Sequence, residues 1–423
     1  MTFWNSLSKE QLKELYSSTL KEYEACKGKG LKLDMSRGKP GSDQLDLSND
    51  MLSMSLDTFK CDGVETRNYG VLEGLESCRE LFAQILGVQA DQVFIGGNAS
   101  LNLMYDVIAK AYTHGLKNSP APWAKLDKVK FLCPVPGYDR HFTISSTFGM
   151  EMINIPMTED GPDMDRVEEA VKDPLVKGIW CVPKFSNPQG IVYSGATIER
   201  MAALKPAAPD FTIMWDNAYV VHEFEGEFVP LPDIVSACAK AGNPDMVYEF
   251  ASTSKITFPG AGVGAFASSV GNIEYMKKLI SAQTIGYDKI NQYRHVRYFG
   301  NLDGILEHMR KHAKIMRPKF DIVIKYLDER VAPFGIASYH CPKGGYFVSL
   351  ETMPGCAKRT HALAKDAGVT LTGAGATYPN GKDPLDSNLR IAPSFPPVQE
   401  LEMAMDVLCT CVKMASLEKL INE

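Results

Sequence analysis

A lysine flanked by hydroxyl side chains and followed by glycines is the feature of this sequence with the most evident chemistry. The segment Ser252-Thr253-Ser254-Lys255 follows a predicted strand, and glycines come after it at positions 260, 262 and 264. A lysine held partly buried in such a turn loses water, which lowers its pKa and makes its amine nucleophilic. A solvated lysine beside a flexible turn gives the same local pattern. Lys255 is therefore a candidate catalytic residue whose assignment depends on the rest of the chain.

Polar residues also stand at the ends of other predicted elements. Asp216 follows an apolar strand, and Tyr219 comes three residues later. Asn187 lies in an Asn-Pro-Gln-Gly turn after a second strand, and the segment 96–100 (Gly-Gly-Asn-Ala-Ser) opens a predicted helix, where free N–H groups can bind an anion. Each segment alone reads as a turn or a helix cap. Because ligands of open α/β sheets bind outside the carboxyl ends of the strands, we expect these residues to share one site.

Together these residue types meet the needs of one cofactor. A lysine amine can form a Schiff base with an aldehyde, and a carboxylate can keep a pyridine nitrogen protonated. An amide and a phenol can hydrogen-bond a phenolic oxygen, while a helix N-terminus can hold a phosphate. These are the protein parts that pyridoxal phosphate requires, so the sequence predicts a pyridoxal-phosphate enzyme.

The sequence resembles the class I/II aminotransferases, the fold-type I group of pyridoxal-phosphate enzymes. The resemblance runs from Arg-Gly-Lys-Pro at 37–40, through Asn-Tyr-Gly-Val-Leu-Glu-Gly-Leu at 68–75, to Asn-Leu-Arg-Ile-Ala at 388–392. It implies an α/β fold with a mostly parallel central sheet flanked by helices, and a smaller α+β domain. The motif set is similar to a divergent aspartate-aminotransferase-like subgroup often labelled MocR-family aminotransferases.

The resemblance implies a role for each cofactor-binding residue. Lys255 forms the Schiff base and later moves the proton between the substrate α-carbon and the cofactor. Asp216 pairs with the pyridinium nitrogen, Asn187 and Tyr219 hold the phenolate oxygen, and Tyr138 stacks on the ring. The phosphate is expected to contact a set of small and hydroxyl residues: Asn98, Ala99, Ser100, Ser252 and Ser254.

Substrate binding and assembly follow from the same resemblance. Arg390 is expected to clamp the substrate α-carboxylate as a bidentate fork, with Asn187 beside it and the backbone of Gly38 closing over it. Tyr69 is expected to reach the phosphate of a neighbouring subunit, which implies a homodimer with shared active sites.

One position departs from the family pattern. Many relatives carry an arginine after the Pro-Gly that follows the lysine, and it pairs with the phosphate; here Gly262 occupies that position. Either the helix N-terminus and the hydroxyls suffice, or another cation such as Arg67 or Arg37 substitutes.

The expected activity is the transfer of the amino group of aspartate or glutamate to a 2-oxo acid such as 2-oxoglutarate. A dicarboxylic substrate needs a second cation for its distal carboxylate. The resemblance implies that this cation comes from the partner subunit, for which the candidates are Arg294 and Arg297; Lys39 and Arg140 are further candidates. The first two are also explained by an exposed helical face.

Three alternatives stay open from the sequence. The first is an aminotransferase for aromatic amino acids, kynurenine or 2-aminoadipate, and the second is a pyridoxal-phosphate lyase or cyclase. The third is a non-catalytic transcriptional regulator that binds the cofactor, although only about 36 residues precede the first motif, which are too few for a DNA-binding module.

The composition of the chain argues against several classes of binding partner. The chain has 423 residues, 45 Lys+Arg against 51 Asp+Glu and a net charge of -6, without the basic excess that phosphate-backbone binding requires. No run of about 18 apolar residues is present, so neither nucleic acid nor a membrane is expected as a partner. The 10 cysteines are scattered among apolar neighbours without metal-binding spacing, so we expect no metal, mostly buried thiols and a cytoplasmic protein.

The elements that must position these residues alternate between helices and short apolar strands, as in a parallel α/β sheet. We predict helices at 8–26, 74–86, 100–114, 301–330 and 358–367, and strands at 129–133, 178–182, 211–215, 246–250, 336–339 and 345–350. Residues 50–300 are expected to form the large cofactor domain. Residues 1–49 together with 301–423 are expected to form the small domain, since Gly38 and Arg390 must meet over one substrate.

Overall fold

The fold combines one large mixed sheet with helices on both of its faces. The computed structural model describes residues 3–423. Its strands are β1 (Leu33–Asp34), β2 (Lys60–Cys61), β3 (Val64–Glu65), β4 (Val93–Ile95), β5 (Lys130–Val135), β6 (Glu151–Thr158), β7 (Gly161–Pro162), β8 (Val176–Cys181), β9 (Thr212–Asp216), β10 (Val247–Ser252), β11 (Gly264–Ala267), β12 (Ala337–Tyr339), β13 (Val348–Thr352), β14 (Val369–Thr370) and β15 (Asn388–Ile391).

The helices occupy the connections between strands and both ends of the described chain. They are α1 (Lys9–Lys27), α2 (Ser42–Leu45), α3 (Asn49–Ser53), α4 (Glu76–Leu86), α5 (Ser100–Thr113), α6 (Asp139–Thr147), α7 (Met164–Ala170), α8 (Gly195–Ala202), α9 (Ile234–Lys240), α10 (Val270–Ile280), α11 (Lys289–Phe299), α12 (Leu302–Arg330), α13 (Ala357–Asp366) and α14 (Val398–Asn422). The predicted helices and strands are confirmed with boundaries shifted by a few residues. Within residues 3–423, no helix has the length and apolar character needed to cross a membrane.

The large sheet has eight strands in the order β4-β11-β10-β9-β8-β5-β6-β7. The pairs from β10 through β6 are all parallel, whereas β11 is antiparallel to both of its neighbours and β7 is antiparallel to β6. The predicted mostly parallel sheet is confirmed. Because parallel strands share one direction, β5, β8, β9 and β10 deliver the residues after their carboxyl ends to one edge of the sheet.

Alternating side chains on the central strands fill two separate cores. On β9, Ile213 and Trp215 join one apolar cluster, while Met214 between them joins the other. This alternation follows from the two-residue period of a strand, since both faces of a parallel sheet are covered by helices. The rigid centre of the sheet therefore fixes the directions of the residues that follow each strand.

A third apolar core joins the two ends of the chain. Strand β1 pairs in parallel with β14, so Leu33 lies opposite Val369. Strands β12, β13 and β15 form a separate antiparallel sheet, and α1 and α14 pack in the same core as α12. All the cysteines except Cys341 are buried, as expected for small apolar side chains.

Candidate active site

A cavity of about 570 Å³ lies at the carboxyl ends of the parallel strands. It brings together residues that are distant in the chain, including most of the predicted site. Its lining includes Arg37, Gly38, Lys39, Ser100, Tyr138, Arg140, Asn187, Asp216, Tyr219, Lys255, Phe347 and Arg390. Within residues 3–423, no group of three His, Cys, Asp or Glu side chains is arranged to hold a metal ion.

Lys255 lies on a single 3₁₀ turn, Thr253–Lys255, that follows β10. Its Nζ is 4.7 Å from the centroid of the Tyr219 ring. Burial lowers the pKa of the amine, and the carboxylate of Asp216 opposes that shift. A lysine in this setting has a larger neutral fraction than a solvated one, and the neutral amine is the nucleophile.

Asp216 presents a buried carboxylate oxygen that has no partner. The residue ends β9 and is 2% exposed. Its Oδ2 is 3.0 Å from His141 Nε2, and its Oδ1 lacks any hydrogen-bond partner. A buried, unfilled acceptor is costly, so this oxygen is suited to a donor supplied by a ligand in the cavity.

His141 and Trp180 form a support for Asp216 that the sequence analysis missed. The imidazole stacks on the indole with centroids 4.5 Å apart and an interplanar angle of 9°. Trp180 also donates its indole N–H to Ser145. One signal for His141 was available in the sequence. It stands three residues after Tyr138, so in the first turn of α6 the two residues lie on the same side of the helix.

Asn187, Tyr219 and Tyr138, the three other residues expected to contact the cofactor ring or its phenolate oxygen, line the same cavity. Asn187 is 4% exposed and its Oδ1 accepts a hydrogen bond of 3.2 Å from Arg390. Burial raises the pKa of Tyr219 well above its usual value, so its hydroxyl stays protonated and available as a donor. Tyr138 contacts His141 edge-on, with ring centroids 5.0 Å apart.

The predicted phosphate residues meet where α5 begins beside the lysine turn. Ala99 is the residue before the first helical residue, Ser100, and the Ser254 hydroxyl lies 3.4 Å from the carbonyl oxygen of Asn98. Ser252 donates a hydrogen bond of 3.1 Å to Ser254. The free N–H groups of the first turn of α5 and these hydroxyls form a set of donors suited to an anion.

Gly262 lies too close to this set to carry a side chain without displacement. A Cβ there would be 3.0 Å from the carbonyl oxygen of Asn98 and 3.1 Å from that of Phe258. The departure from the family pattern is therefore matched by tight backbone packing. Of the two candidate substitutes, Arg37 lines the cavity, whereas Arg67 is paired with Glu65 at 2.8 Å.

Arg390 stands on β15 with its guanidinium in the cavity wall. Its Nη1 donates to Asp139 at 2.8 Å, and its buried Nε has no partner. The guanidinium lies over the ring of Phe347 at 4.8 Å from the centroid. The same ring excludes any side chain at Gly38, where a Cβ would be 2.3 Å from Phe347 Cζ. The structure thus brings Gly38 and Arg390 together across one aromatic ring.

The remaining candidates fall into two groups. Arg37, Lys39 and Arg140 line the cavity, while Arg294 and Arg297 are not among its lining residues. Arg297 pairs with Asp57 at 3.5 Å on an exposed helix face. Tyr69 also lies outside the lining, and its side chain is 81% exposed.

If Arg390 binds the carboxylate of the substrate, as the family resemblance implies, replacing it with lysine should raise KM for that substrate by about 10- to 100-fold, since one hydrogen bond to a charged group contributes about 1.5–3 kcal/mol. Lysine keeps the charge but loses the planar fork that grips a carboxylate. Steady-state kinetics measure the effect, and Arg310→Lys, on an exposed face, is the control. An unchanged KM in Arg390→Lys would contradict this role.

A buried acid–amide pair stands directly behind Asp216. Asn217 Nδ2 donates to Glu249 Oε1 at 2.9 Å, while Asn217 Oδ1 and Glu249 Oε2 are buried without partners. Burial raises the pKa of Glu249 to about 8, and the nearby Asp233 adds to the shift. A protonated carboxyl group can donate as well as accept, so protonation gives the buried Glu249 a hydrogen-bonding capacity that its carboxylate lacks.

Glu249 should therefore make stability depend on pH. Its pKa rises from an ordinary 4.5 to about 8 on folding, so its stabilising contribution is full below 4.5 and is lost as pH rises through 8. Between pH 4.5 and about 8, the free energy of unfolding falls by about 1.4 kcal/mol per pH unit. Glu249→Gln keeps the amide contacts and removes the proton, so its free energy of unfolding should lose this slope. Denaturant titrations across the window measure it, and equal slopes in both proteins would contradict the assignment.

The large mixed sheet, the smaller α+β part and a lysine at the end of a central strand define the class of protein as a fold-type I aminotransferase. Residues 7–423 match the family model described as "Aspartate amino-transferase". The chain is 48% identical over 415 residues to the aspartate aminotransferase of Corynebacterium glutamicum, covering 98% of this chain and 96% of that protein. It belongs to the aspartate aminotransferase family and is an aminotransferase.

Two solved structures place the fold among known ones. An aspartate transaminase from Corynebacterium glutamicum superposes with a TM-score of 0.97 at 47% identity, covering 98% of this chain and 99% of that one. The α-aminoadipate aminotransferase of Thermus thermophilus, complexed with N-(5'-phosphopyridoxyl)-L-leucine, has a TM-score of 0.72 at 20% identity and covers 96% of this chain and 95% of that one. The second likeness concerns the fold alone.

Proposed function

We propose that this chain transfers the amino group of aspartate or glutamate to a 2-oxo acid such as 2-oxoglutarate, with pyridoxal phosphate bound to Lys255. The observation that carries the proposal is the shared cavity. It places a nucleophilic amine, an unfilled carboxylate oxygen of Asp216 and the guanidinium of Arg390 around one space of about 570 Å³.

The residues present fit pyridoxal phosphate. The cofactor, when bound, supplies an electron sink for the bond that breaks at the substrate α-carbon. Asp216 Oδ1 is the acceptor for a pyridinium N–H, and Asn187 and Tyr219 are the donors for a phenolate oxygen. The start of α5 and the hydroxyls of Ser252 and Ser254 supply donors for the phosphate. The Thermus thermophilus structure of similar fold carries a phosphopyridoxyl ligand, which supports this choice.

Lys255 acts as a nucleophile and as a proton carrier in this proposal. Its lowered pKa lets the released amine accept a proton from the substrate α-carbon. The face of the Tyr219 ring, 4.7 Å from Nζ to its centroid, shields this amine from bulk water. Lys255 lies on a short turn at the end of β10. Rotation of its side chain would therefore let Nζ act first as the nucleophile and then as the proton carrier, without movement of the sheet.

Arg390 holds the substrate α-carboxylate. Its buried Nε is a donor without a partner, and Nη2 donates only to Thr372 at 3.2 Å. Phe347 keeps the guanidinium plane fixed, so the fork is already oriented when a carboxylate arrives. Asp139 neutralises Arg390 at 2.8 Å and so competes with the substrate for it.

The distal carboxylate of a dicarboxylic substrate is bound by cations at the cavity wall. Arg140 lines the cavity on the first turn of α6 and is exposed. Lys39 lines the same cavity, with its Nζ 3.8 Å from the centroid of the Phe395 ring. Arg140→Gln should lower kcat/KM for aspartate by about 10-fold or more, the cost of one hydrogen bond to a charged group. Alanine as donor should be unaffected, and Arg310→Gln, on an exposed face, is the matched control. An equal loss for both donors would contradict this role.

The active protein is a homodimer in this proposal. Tyr69 is exposed at 81% and lies outside the cavity of its own chain, as expected of a residue that completes the site of a partner.

We further propose that residues 50–300 form the large domain and that residues 1–49 together with 301–423 form the small domain, because one apolar core joins α1, α12 and α14.

A donor screen tests the function. The purified protein with pyridoxal phosphate is titrated with a panel of amino acids, and the cofactor absorbance and 2-oxo-acid product are measured. Aspartate and glutamate should change the spectrum and support turnover with 2-oxoglutarate. Response only to aromatic amino acids, kynurenine or 2-aminoadipate would identify another donor. Release of ammonia or pyruvate without an oxo-acid acceptor would identify a lyase, and a spectrum unchanged by any donor would favour a regulator.

A further inference from the structure

Four buried histidines surround the turn that carries Lys255, although none of them lines the cavity. His222, His295, His308 and His312 are each 5% exposed or less. They come from three different parts of the chain, and two of them stand one turn apart on α12. The proposed reaction uses none of them, so their convergence on one short segment requires another explanation.

Three of these imidazoles contact the backbone of the lysine turn. Nε2 of His308 is 2.9 Å from the carbonyl oxygen of Ile256, and Nε2 of His312 is 3.0 Å from the same oxygen. Nε2 of His222 is 3.4 Å from the carbonyl oxygen of Lys255 itself. Because a carbonyl oxygen only accepts, an imidazole N–H must donate in each bond that forms.

The fourth histidine holds the side chains of the same turn. Nε2 of His295 is 3.0 Å from the Thr253 hydroxyl and 2.9 Å from the Thr257 hydroxyl. Thr253 in turn accepts a hydrogen bond of 2.9 Å from the N–H of Val263. The turn is therefore held by imidazoles that lie outside the cavity lining, in a buried environment where hydrogen bonds are strong.

The cluster extends to the segment that lines the substrate side of the cavity. Gln44 is fully buried, and its Nε2 lies 3.3 Å from His312 Nδ1 and 2.9 Å from the Tyr346 hydroxyl. Its Oε1 accepts from the N–H of Gly41 at 3.2 Å. Gly41 ends the loop that contains Gly38, so one chain of hydrogen bonds connects the lysine turn to the cavity wall.

We propose that His308 and His312 are positioning residues that fix the amine of Lys255 by holding the carbonyl of Ile256. This inference rests on the proposed role of Lys255. In the proposed function, the amine of Lys255 both binds the cofactor and moves a proton, so its backbone must hold the side chain accurately in both roles. A misplacement of about 1 Å can lower the rate about 100-fold. The two imidazoles provide that fixed point from the rigid helix α12.

Paired double variants test the proposal. His308→Leu with His312→Leu removes the donors, whereas His308→Gln with His312→Gln keeps an N–H at the Nε2 position. In the leucine protein, kcat should fall by about 10-fold or more while KM for the donor stays within about twofold. Competitive labelling of the full-length chain without cofactor should show the pKa of Lys255 moving upward toward that of a solvated lysine. The glutamine protein should stay near the parent in both measurements.

Each outcome either supports or overturns the proposal, and the labelling outcomes do so without any measurement of the reaction. A folded leucine protein with parental Lys255 labelling and kcat would overturn it, as would equal losses in the leucine and glutamine proteins. If the leucine protein does not fold, the single variants His312→Gln and His312→Asn replace it, because asparagine is too short to reach Ile256. Equal labelling of Lys255 in those two would also overturn the proposal. The labelling reads the amine directly, so it remains decisive even if the donor screen refutes the aminotransferase chemistry.

Discussion

Lys255→Ala is expected to abolish transamination, with kcat at least about 10⁴-fold lower, the upper end of what general acid–base catalysis contributes. The variant loses both the amine that binds the cofactor and the group that moves the proton. No other lysine replaces it, because Lys39 is the one other lysine among the cavity-lining residues of the described chain and is held over Phe395. The measurement is steady-state turnover together with the absorbance of the bound cofactor.

Lys255→Arg and Lys39→Ala are the matched controls for this prediction. Arginine keeps a cation at position 255 without a nucleophilic amine, so it should fail as alanine does. Lys39→Ala should keep the absorbance of the covalently bound cofactor. A folded Lys255→Ala protein that retains both this absorbance and substantial turnover would show that another residue holds the cofactor.

Asp216→Asn should produce the second-largest effect, a fall in kcat of about 100-fold or more, comparable to removing one preorganised electrostatic contact. The amide is nearly the same size as the carboxylate but carries no charge, so it cannot keep a pyridinium nitrogen protonated. Cofactor affinity should fall as well, because the buried Oδ1 then loses its charge-assisted partner. Turnover and equilibrium dialysis of the cofactor measure the two effects.

Asp210→Asn is the matched control for Asp216. Asp210 lies two residues before the start of the same strand, is 3% exposed, and binds Lys177, Ser119 and Trp123. Its replacement should lower the free energy of unfolding and leave kcat nearly unchanged at temperatures well below unfolding. If Asp216→Asn behaved like Asp210→Asn, with lower stability and parental kcat, the proposed contact with the cofactor would be wrong.

Sequence patterns predicted four of the eight strands of the large sheet, because each of the four has a clear local signal. The strands that became β5, β8, β9 and β10 are short apolar runs ended by polar residues, and α12 extends without a break despite Pro318. Helix α14 was not predicted. It is apolar on nearly all sides, with buried residues from Leu401 to Leu417, so it lacks the one-sided periodicity that marks a surface helix.

Most residues of the candidate site could be named from the sequence, because they follow predicted strands and occur in the same chain order as the motifs of the family it resembles. The contacts that support them were not, since they depend on packing between distant segments. His141, Trp180 and Phe347 stack on residues far away in sequence, and no local pattern marks Trp180 or Phe347. The same holds for His308 and His312, whose spacing on α12 fits any buried helix face.

The position of the unfilled carboxylate oxygen also required the three-dimensional structure. From the sequence, Asp216 was a carboxylate at the end of a strand, and nothing indicated that His141 binds only one of its oxygens. Which of the four candidate cations line the cavity of their own chain also required the structure. Arg140 and Lys39 do, whereas Arg294 and Arg297, which the family resemblance assigns to a partner subunit, do not.

Borohydride reduction followed by peptide mass mapping tests the central claim most directly. The purified protein is saturated with pyridoxal phosphate and reduced, which converts a Schiff base into a stable secondary amine. We predict that the phosphopyridoxyl mass is found on the peptide containing Lys255, and that prior addition of aspartate releases the lysine and prevents the labelling. Labelling of a different lysine, or of none, would contradict the account.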